Sequence, residues 1–363
     1  MSIDAPYNIA TRSDDPLEPA VRVGLVDAKP LPKGLPFPAR PELLFDESAR
    51  VRVRTTGPRF PFPVPNGWFA IAEAGELKPG DTRAVTYFGM DLVIWVGDDG
   101  QVHLADAYCP HQGAHLAVGG QVEDVDGESC LRCPFHGWAF DGSGQCTEVP
   151  YGSGRVPPKA QVRSFPVVQR GPYVWAWHHA EGLEPFYEVP EIPEFSDNPE
   201  WLPAQIHEFA MNTCCQEMAE NNHDFAHFKF VHGQDEIPEG EEVIDGYYKS
   251  TKNPGLERET FGLGLGVVRV PGVVTFCSSV TPIDTERVHI RWAFTSPTQH
   301  GPELLDQVAR RFLEGVSQDV EIWENKVFRS RPMLVKGESG ILASRRWAAQ
   351  FYSANVELPD EPA

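Results

Sequence analysis

A chain of 363 residues is longer than one hydrophobic core usually serves, so two units, or a small unit docked on a larger one, are expected. Hydrophobic residues make up 41% and charged residues 23%, globular values, and the longest apolar runs, such as Leu92–Val96, are strand-length and too short for a helical membrane span. With 52 acidic against 31 basic residues the formal net charge is -21, which opposes non-specific binding to nucleic acid or to an anionic membrane surface.

In chain order, residues 1–60 are rich in proline and poor in periodicity, and read as an extended arm. The N-terminus has no cationic start and no apolar stretch of the kind a secretory signal needs, so a cytoplasmic location is expected. The seven cysteines then point to metal ligation or plain burial rather than to a disulfide framework. From Gly67 to about Glu181 short apolar or alternating runs are separated by turn signals, with Asp99-Gly100 and Arg170-Gly171 placed as hairpin turns would be. Residues 61–182 should therefore form a small antiparallel β domain. A proline-rich link from Leu183 marks the boundary with a larger unit over 183–363. There a helical pattern runs from about Asn212 to Phe230, alternating strands follow around GVVTFCSSVTPI and RVHIRWAFTSP, and a second helix runs from about Pro302 to Val327. The predicted class is α+β, with the second unit a helix-covered antiparallel sheet.

The strongest chemical signal is Cys109-Pro110-His111 matched by Cys133-Pro134-Phe135-His136-Gly137-Trp138. Each half offers one thiolate and one imidazole, the division a Rieske 2Fe-2S centre needs: two cysteines on one iron and two histidines on the other. Pro110, Pro134, Gly113 and Gly137 suit two tight loops that bring backbone amides toward the cluster sulfurs. A zinc site borrowing Cys130, which forms a C-x-x-C pair with Cys133, is the competing reading, but it leaves the first half unmatched. Cys146, Cys214, Cys215 and Cys277 have no paired spacing and read as buried apolar fillers.

The second signal runs from Asn221 through Asp224 and His227 to His232. On a helix Asp224 and His227 share a face, and His232 converges on them only if the helix ends or distorts near Phe230. Two histidines and a carboxylate leave open positions on one face of Fe(II), where dioxygen and substrate can meet. The best candidate for the carboxylate is Asp319, an acid among residues whose helical spacing looks core-facing, with Glu321 the runner-up. His223 is expected to lie behind the ligands or at the surface, and Phe225, Phe228 and Phe230 to be core or pocket wall. The glycine run Gly262–Gly266 lacks nucleotide-loop spacing and reads as a turn or strand segment.

Together these segments resemble the Rieske non-haem iron oxygenases from about Gly67 to Ser353, and most closely their steroid and sterol branch of 3-ketosteroid 9α-hydroxylase oxygenases and cholesterol 7-desaturases. The resemblance is carried by CPHQGAHLAVGG, CPFHGWAF, AHFKFVHG, QDVEIWENK and RRWAAQFYS. It implies Cys109, His111, Cys133 and His136 as cluster ligands, and His227, His232 and Asp319 as iron ligands. Asp224 would be the bridging carboxylate, bonded to His227 of its own chain and to His136 of the partner subunit in a head-to-tail homotrimer. It also implies a monooxygenase that uses O2, and electrons from a separate ferredoxin or NAD(P)H-dependent reductase, on a steroid or sterol. A smaller aromatic or N-methyl substrate, a Rieske electron carrier and a zinc-binding interaction module are the alternatives. Two segments depart from the family pattern: EDVDGESC between the cluster halves, which reads as a lengthened loop, and residues 234–272, which match weakly where the family shapes its pocket.

Overall fold

The computed structural model describes residues 44, 48, 50–53, 55–153, 155–233, 241–253 and 255–353, so most of the arm expected over 1–60 lies outside the described residues. The first unit is built of short strands: β1 (Gly67–Glu73), β2 (Thr82–Tyr87), β3 (Met90–Val96), β4 (Val102–Asp106), β5 (Gln121–Val125), β6 (Glu128–Arg132), β7 (Ala139–Phe140), β8 (Cys146–Glu148), β9 (Ser164–Phe165), β10 (Val167–Arg170) and β11 (Tyr173–His178). They pair into antiparallel sheets ordered β2-β3-β4-β9, β5-β6-β7-β8 and β1-β11-β10. Asp99-Gly100 lies in the turn from β3 to β4, and Arg170 pairs with Tyr173 across the turn from β10 to β11. The segment Glu123–Cys130, expected to be a lengthened loop, is instead the tip of the β5–β6 hairpin. Asp126 and Gly127 both take positive φ, 54° and 89°, as a two-residue turn matching the twist of its strands requires.

The second unit contains β12 (Gln205–Met211), α1 (Cys215–Asn221), α2 (Phe225–Phe230), β13 (Glu241–Asp245), β14 (Tyr248–Asn253), β15 (Leu256–Phe261), β16 (Leu265–Val270), β17 (Val274–Pro282), β18 (Val288–Thr295), α3 (Gly301–Trp323) and α4 (Ser339–Ala348). Its seven-stranded antiparallel sheet runs β12-β18-β17-β16-β15-β14-β13. The one helix expected over Asn212–Phe230 is two short ones. Asn222, His223 and Asp224 interrupt it, and Asp224 sits at φ −87°, ψ 78° as the N-cap of α2. Asparagine and aspartate compete for backbone hydrogen bonds, and this favours such a break over continued helix.

The register gives the sheet two different faces. Thr260, Gly266, Ser278 and Trp292 pair in a row across β15 to β18, and Arg258, Val268 and Phe276 form the next row on the same face. α3 covers this face: Leu305, Ala309, Leu313, Val316, Val320 and Trp323 form its buried stripe, and the Phe312 ring meets Phe276 and Trp292 at 4.7 and 4.9 Å. The opposite face, one residue out of phase, carries Ser279, Arg291 and Glu208 and lies against β1. There Ala70 N donates to Ser279 Oγ at 3.0 Å, and the Gly262–Gly266 run forms the β15–β16 turn, where a Cβ on Gly264 would stand 2.2 Å from Trp68 O.

Arg291 fastens the two units together. Its Nη1 donates to Ala70 O at 2.8 Å, its Nη2 to Tyr87 Oη at 2.8 Å, and its Nε faces Glu208 Oε2 at 3.0 Å. Tyr87 and Ala70 belong to the first unit, whereas Arg291 and Glu208 belong to the sheet of the second. Burial alone would raise the Glu208 carboxyl, but Arg291 outweighs it and holds the group at about 2. Removing the guanidinium leaves a buried carboxylate uncompensated, so Arg291→Met should destabilise the fold by roughly 3–5 kcal/mol in equilibrium denaturation. Because the folded value lies below the ordinary one of 4.5, the stabilisation is complete above about pH 4.5 and lost as pH falls toward 2. Glu208→Gln should therefore flatten the acid limb of the stability–pH curve by about 3 kcal/mol.

Candidate active site

Two loops of the same construction stand side by side in the first unit. In each, the cysteine N–H donates to the carbonyl five residues on, Cys109 N to Ala114 O at 2.9 Å and Cys133 N to Trp138 O at 2.8 Å. The N–H four residues on returns to the cysteine carbonyl, from Gly113 at 2.9 Å and Gly137 at 3.0 Å. Closing the loop this way puts the fourth residue in the left-handed region, and Gly113 and Gly137 have φ of 73° and 72°. The cysteines sit in a small core of their own with Val93, Trp95, Leu131 and Phe140. The His111 and His136 rings are half-buried with centroids 4.6 Å apart, and His111 stacks on Trp138 at 4.6 Å.

These donors fit a two-iron cluster. Burial pushes the Cys109 thiol, with Cys133 beside it, up to about 11, so that thiol stays protonated unless a cation displaces the proton. His136 Nδ1 is buried and has no hydrogen-bond partner, as expected of a ring nitrogen reserved for a metal. Among the described residues, only His227, His232 and Asp319 bring ligand atoms close enough for one ion, so the four donors here do not share a single-ion position. The zinc alternative loses its extra ligand as well, because Cys130 Sγ turns to Thr147 Oγ1 at 3.4 Å. Cys146, Cys214, Cys215 and Cys277 are buried, as fillers would be.

In the second unit, the ligand atoms of His227, His232 and Asp319 all lie within 4.8 Å of one another. The helix break positions His227 in the first turn of α2, His232 follows just past the end of α2, and Asp319 comes from the buried stripe of α3. Each histidine is held from behind. His227 Nδ1 donates to the Asp224 main-chain carbonyl, and His232 Nδ1 donates to Gln318 Oε1 at 2.8 Å. Both Nε2 atoms thereby present a lone pair: that of His227 accepts from Asn221 Nδ2 at 3.4 Å, and His232 Nε2 faces Asp319 Oδ2 at 3.3 Å. A lone pair set against a carboxylate oxygen is repulsive unless a proton or a cation lies between them. Burial lowers His232, but Asp319 outweighs it and raises its proton affinity, while burial leaves His227 lowered. The arrangement is that of a two-histidine, one-carboxylate metal site with its supporting shell in place.

Asp319 rather than Glu321 joins the histidines. The link between Asp224 and His227 runs through the main-chain carbonyl, not the carboxylate that the family pattern suggested, because Asp224 sits at the N-cap with its carbonyl aimed into the first turn. His223, expected behind the ligands or at the surface, is buried with Nδ1 2.9 Å from Glu242 Oε1 on β13. Phe228 lines the cavity, but Phe230 is exposed. Asn221 Nδ2 lies 3.4 Å from His227 Nε2. Sequence reasoning missed Gln318; it stands beside Asp319 in a recognisable segment, but nothing in its spacing ties it to His232.

A cavity of about 770 Å³ opens over this triad, toward the upper end of the roughly 300–1,000 Å³ usual for small-molecule sites. Its wall is mainly apolar, with Leu263, Leu265, Val268, Phe276, Val280 and Phe312 prominent. No helix among the described residues is long and apolar enough to cross a membrane.

Residues 67–166 match the family model of the Rieske [2Fe-2S] domain, and residues 176–352 that of the 3-ketosteroid 9alpha-hydroxylase C-terminal domain. The chain is 32% identical over 352 residues to cholesterol 7-desaturase of Ciona intestinalis, across 84% of this chain and 72% of that one. It is 30% identical over 322 residues to the 3-ketosteroid-9-alpha-monooxygenase oxygenase component of Rhodococcus rhodochrous, across 79% and 82%. Solved structures share the fold: NdmA of Pseudomonas putida at TM-score 0.63, 20% identity and coverage of 78% and 88%, and dicamba monooxygenase at 0.61, 20%, and 79% and 97%. With both family models matched in order and a donor set suited to each metal centre, the chain belongs to the Rieske non-haem iron oxygenases, whose cofactors are a 2Fe-2S cluster and a mononuclear iron.

Proposed function

We propose that this chain is the terminal oxygenase that oxidises a C–H position of a steroid or sterol, fed by a separate ferredoxin or NAD(P)H-dependent reductase. The observation that carries the reading is the large, mainly apolar cavity directly over His227, His232 and Asp319. The names of the sequence relatives, cholesterol 7-desaturase and 3-ketosteroid-9-alpha-monooxygenase oxygenase component, support both the substrate class and the external electron supply. A smaller aromatic substrate would leave much of that volume filled with water, which favours the larger ring system.

In this reading Cys109, His111, Cys133 and His136 hold the cluster, and His227, His232 and Asp319 hold the iron. When bound, the iron supplies the dioxygen chemistry and the cluster supplies electrons. The chain's own residues prepare the ground for both. Gln318 and the Asp224 carbonyl fix the two imidazoles with Nε2 forward. Phe276, Phe312 and the leucines of the β15–β16 turn exclude water and orient an apolar skeleton over the triad. The Asp224 carboxylate makes no side-chain hydrogen bond among the described residues, so it is available to bridge to His136 of the partner subunit in a head-to-tail trimer. Exposed Tyr108, Val118, Phe135 and Tyr151 ring the cluster loops and offer a docking face for that subunit or for the electron donor.

The deciding experiment is turnover with a surrogate ferredoxin and reductase, supplying sterols, ketosteroids and small aromatics and reading products by mass spectrometry. An oxidised steroid that disappears in Asp319→Ala is the expected outcome, whereas turnover of small aromatics alone would overturn the substrate class. Gln318→Leu should weaken iron binding about 10–100-fold in chelator competition while leaving the visible spectrum of the cluster unchanged. Asp224→Asn should keep both metal contents yet slow substrate-linked reoxidation of the reduced cluster. An unchanged rate would remove Asp224 from the path between subunits.

A further inference from the structure

One cationic side chain in the cavity wall has no counterpart among the described residues. Arg258 stands in β15, paired with Thr251 on β14 and Val268 on β16, on the sheet face that lines the cavity. Among the described residues it makes no hydrogen bond and no ion pair. Desolvation pushes its guanidinium down to about 10, which is still well above neutral pH, so the group stays charged there.

The described residues around it offer no compensation. Lys249, on the same sheet face, places Nζ 3.2 Å from Ser344 Oγ and 4.2 Å from the Trp347 ring. Glu242 is engaged with His223, and the next residue, Glu259, bonds to Arg269. Arg311 of α3 lines the same cavity and adds a second cation, while the one carboxylate among the described wall residues is Asp319, already committed to the triad. The fully buried arginines all have partners: Arg50 pairs with Glu324, Arg291 with Glu208, and Arg59 with the carbonyls of Trp323 and Asn212. The Arg258 side chain is half-buried in the cavity wall, so its charge faces whatever fills the cavity, and a ligand that expels water from it must supply the missing partner.

We propose that Arg258 anchors an oxyanion of the substrate, so that the ligand is an apolar ring skeleton bearing a carboxylate or sulfate rather than a neutral sterol. The skeleton rests on the steroid reading above; the charge rests on Arg258. A neutral keto oxygen would occupy one donor and leave the charge uncompensated, whereas the guanidinium fork matches two oxygens of a carboxylate or sulfate. Arg258 and Arg311 together also offset the repulsion that a chain of net charge -21 exerts on an anion.

The test is equilibrium binding to the metal-loaded enzyme of three matched pairs: 3-oxochol-4-en-24-oic acid and its methyl ester, cholesterol sulfate and cholesterol, and dicamba and its methyl ester. Wild type should favour the anion of at least one pair by about tenfold or more. Arg258→Met should lose that preference while keeping the affinity for the neutral member, and Arg258→Lys should retain part of it. The melting temperature of unliganded Arg258→Met should equal or exceed that of wild type, which separates the variant from a folding defect. An Arg258-dependent preference in the carboxylate pair or the sulfate pair identifies which oxyanion is read. The same preference confined to dicamba would uphold the anchor and overturn the steroid skeleton. Absence of any preference, or its survival in Arg258→Met, overturns the anchor whichever skeleton binds.

Discussion

The second unit is organised around one geometric demand: three ligand atoms from separate stretches of chain must lie within 4.8 Å of one another. Two of them come from a segment around α2 and the third from the C-terminal part of α3. That convergence needs a rigid base, and the seven-stranded sheet provides it. α3 lies on the sheet through Leu305, Leu313 and Val320, with Phe312 locked against Phe276 and Trp292. Asp319 can remain an acid in that otherwise apolar stripe because it faces two imidazoles rather than hydrocarbon. A residue that is wrong for a helix core becomes right once the histidines stand opposite it.

The same sheet serves both centres because its two faces do different work. One faces the cavity and the triad; the other fastens to the cluster-binding unit through Arg291 and the hydrogen bonds of Ala70. The alternation of side chains along β17 and β18 enforces the separation: Ser278 and Trp292 look into the cavity, while Ser279 and Arg291 look toward β1. A slip of register by one residue would put Arg291 into the substrate space and Trp292 into the interface. Register is thus a functional property here as much as a structural one.

How much of this could be read from the chain depended on the range of the interaction. The cluster loops were legible because proline, glycine and both donors of each loop fall within six residues, and local backbone chemistry fixes their closure. Asp319 was legible from its place in the buried stripe of α3. The break at Asn222–Asp224 was signalled by residues that favour caps, yet the surrounding helical periodicity masked it. The Asp126-Gly127 turn carried its own signal, and the segment was nevertheless read as a lengthened loop. Gln318 behind His232, Glu242 against His223 and Arg291 between the units lay beyond reach, since each joins residues that only the tertiary fold brings together.

The cavity divides its labour in a way that bears on how specificity could change without loss of chemistry. The metal-facing end is fixed by second-tier hydrogen bonds to His227 and His232, and alterations there act on metal affinity before they act on substrate choice. The sheet wall consists of side chains in regular strands, where replacement of one alternate residue alters shape or charge without moving the backbone. Arg258 is of that kind. It sits on β15, outside the α2 segment and α3 that carry the triad, so its charge can be altered while the ligand geometry is preserved. Recognition of the substrate's polar group and activation at the metal are therefore separable: the first is carried by a strand, the second by α2 with the residues just after it, by α3, and by the hydrogen bonds behind them.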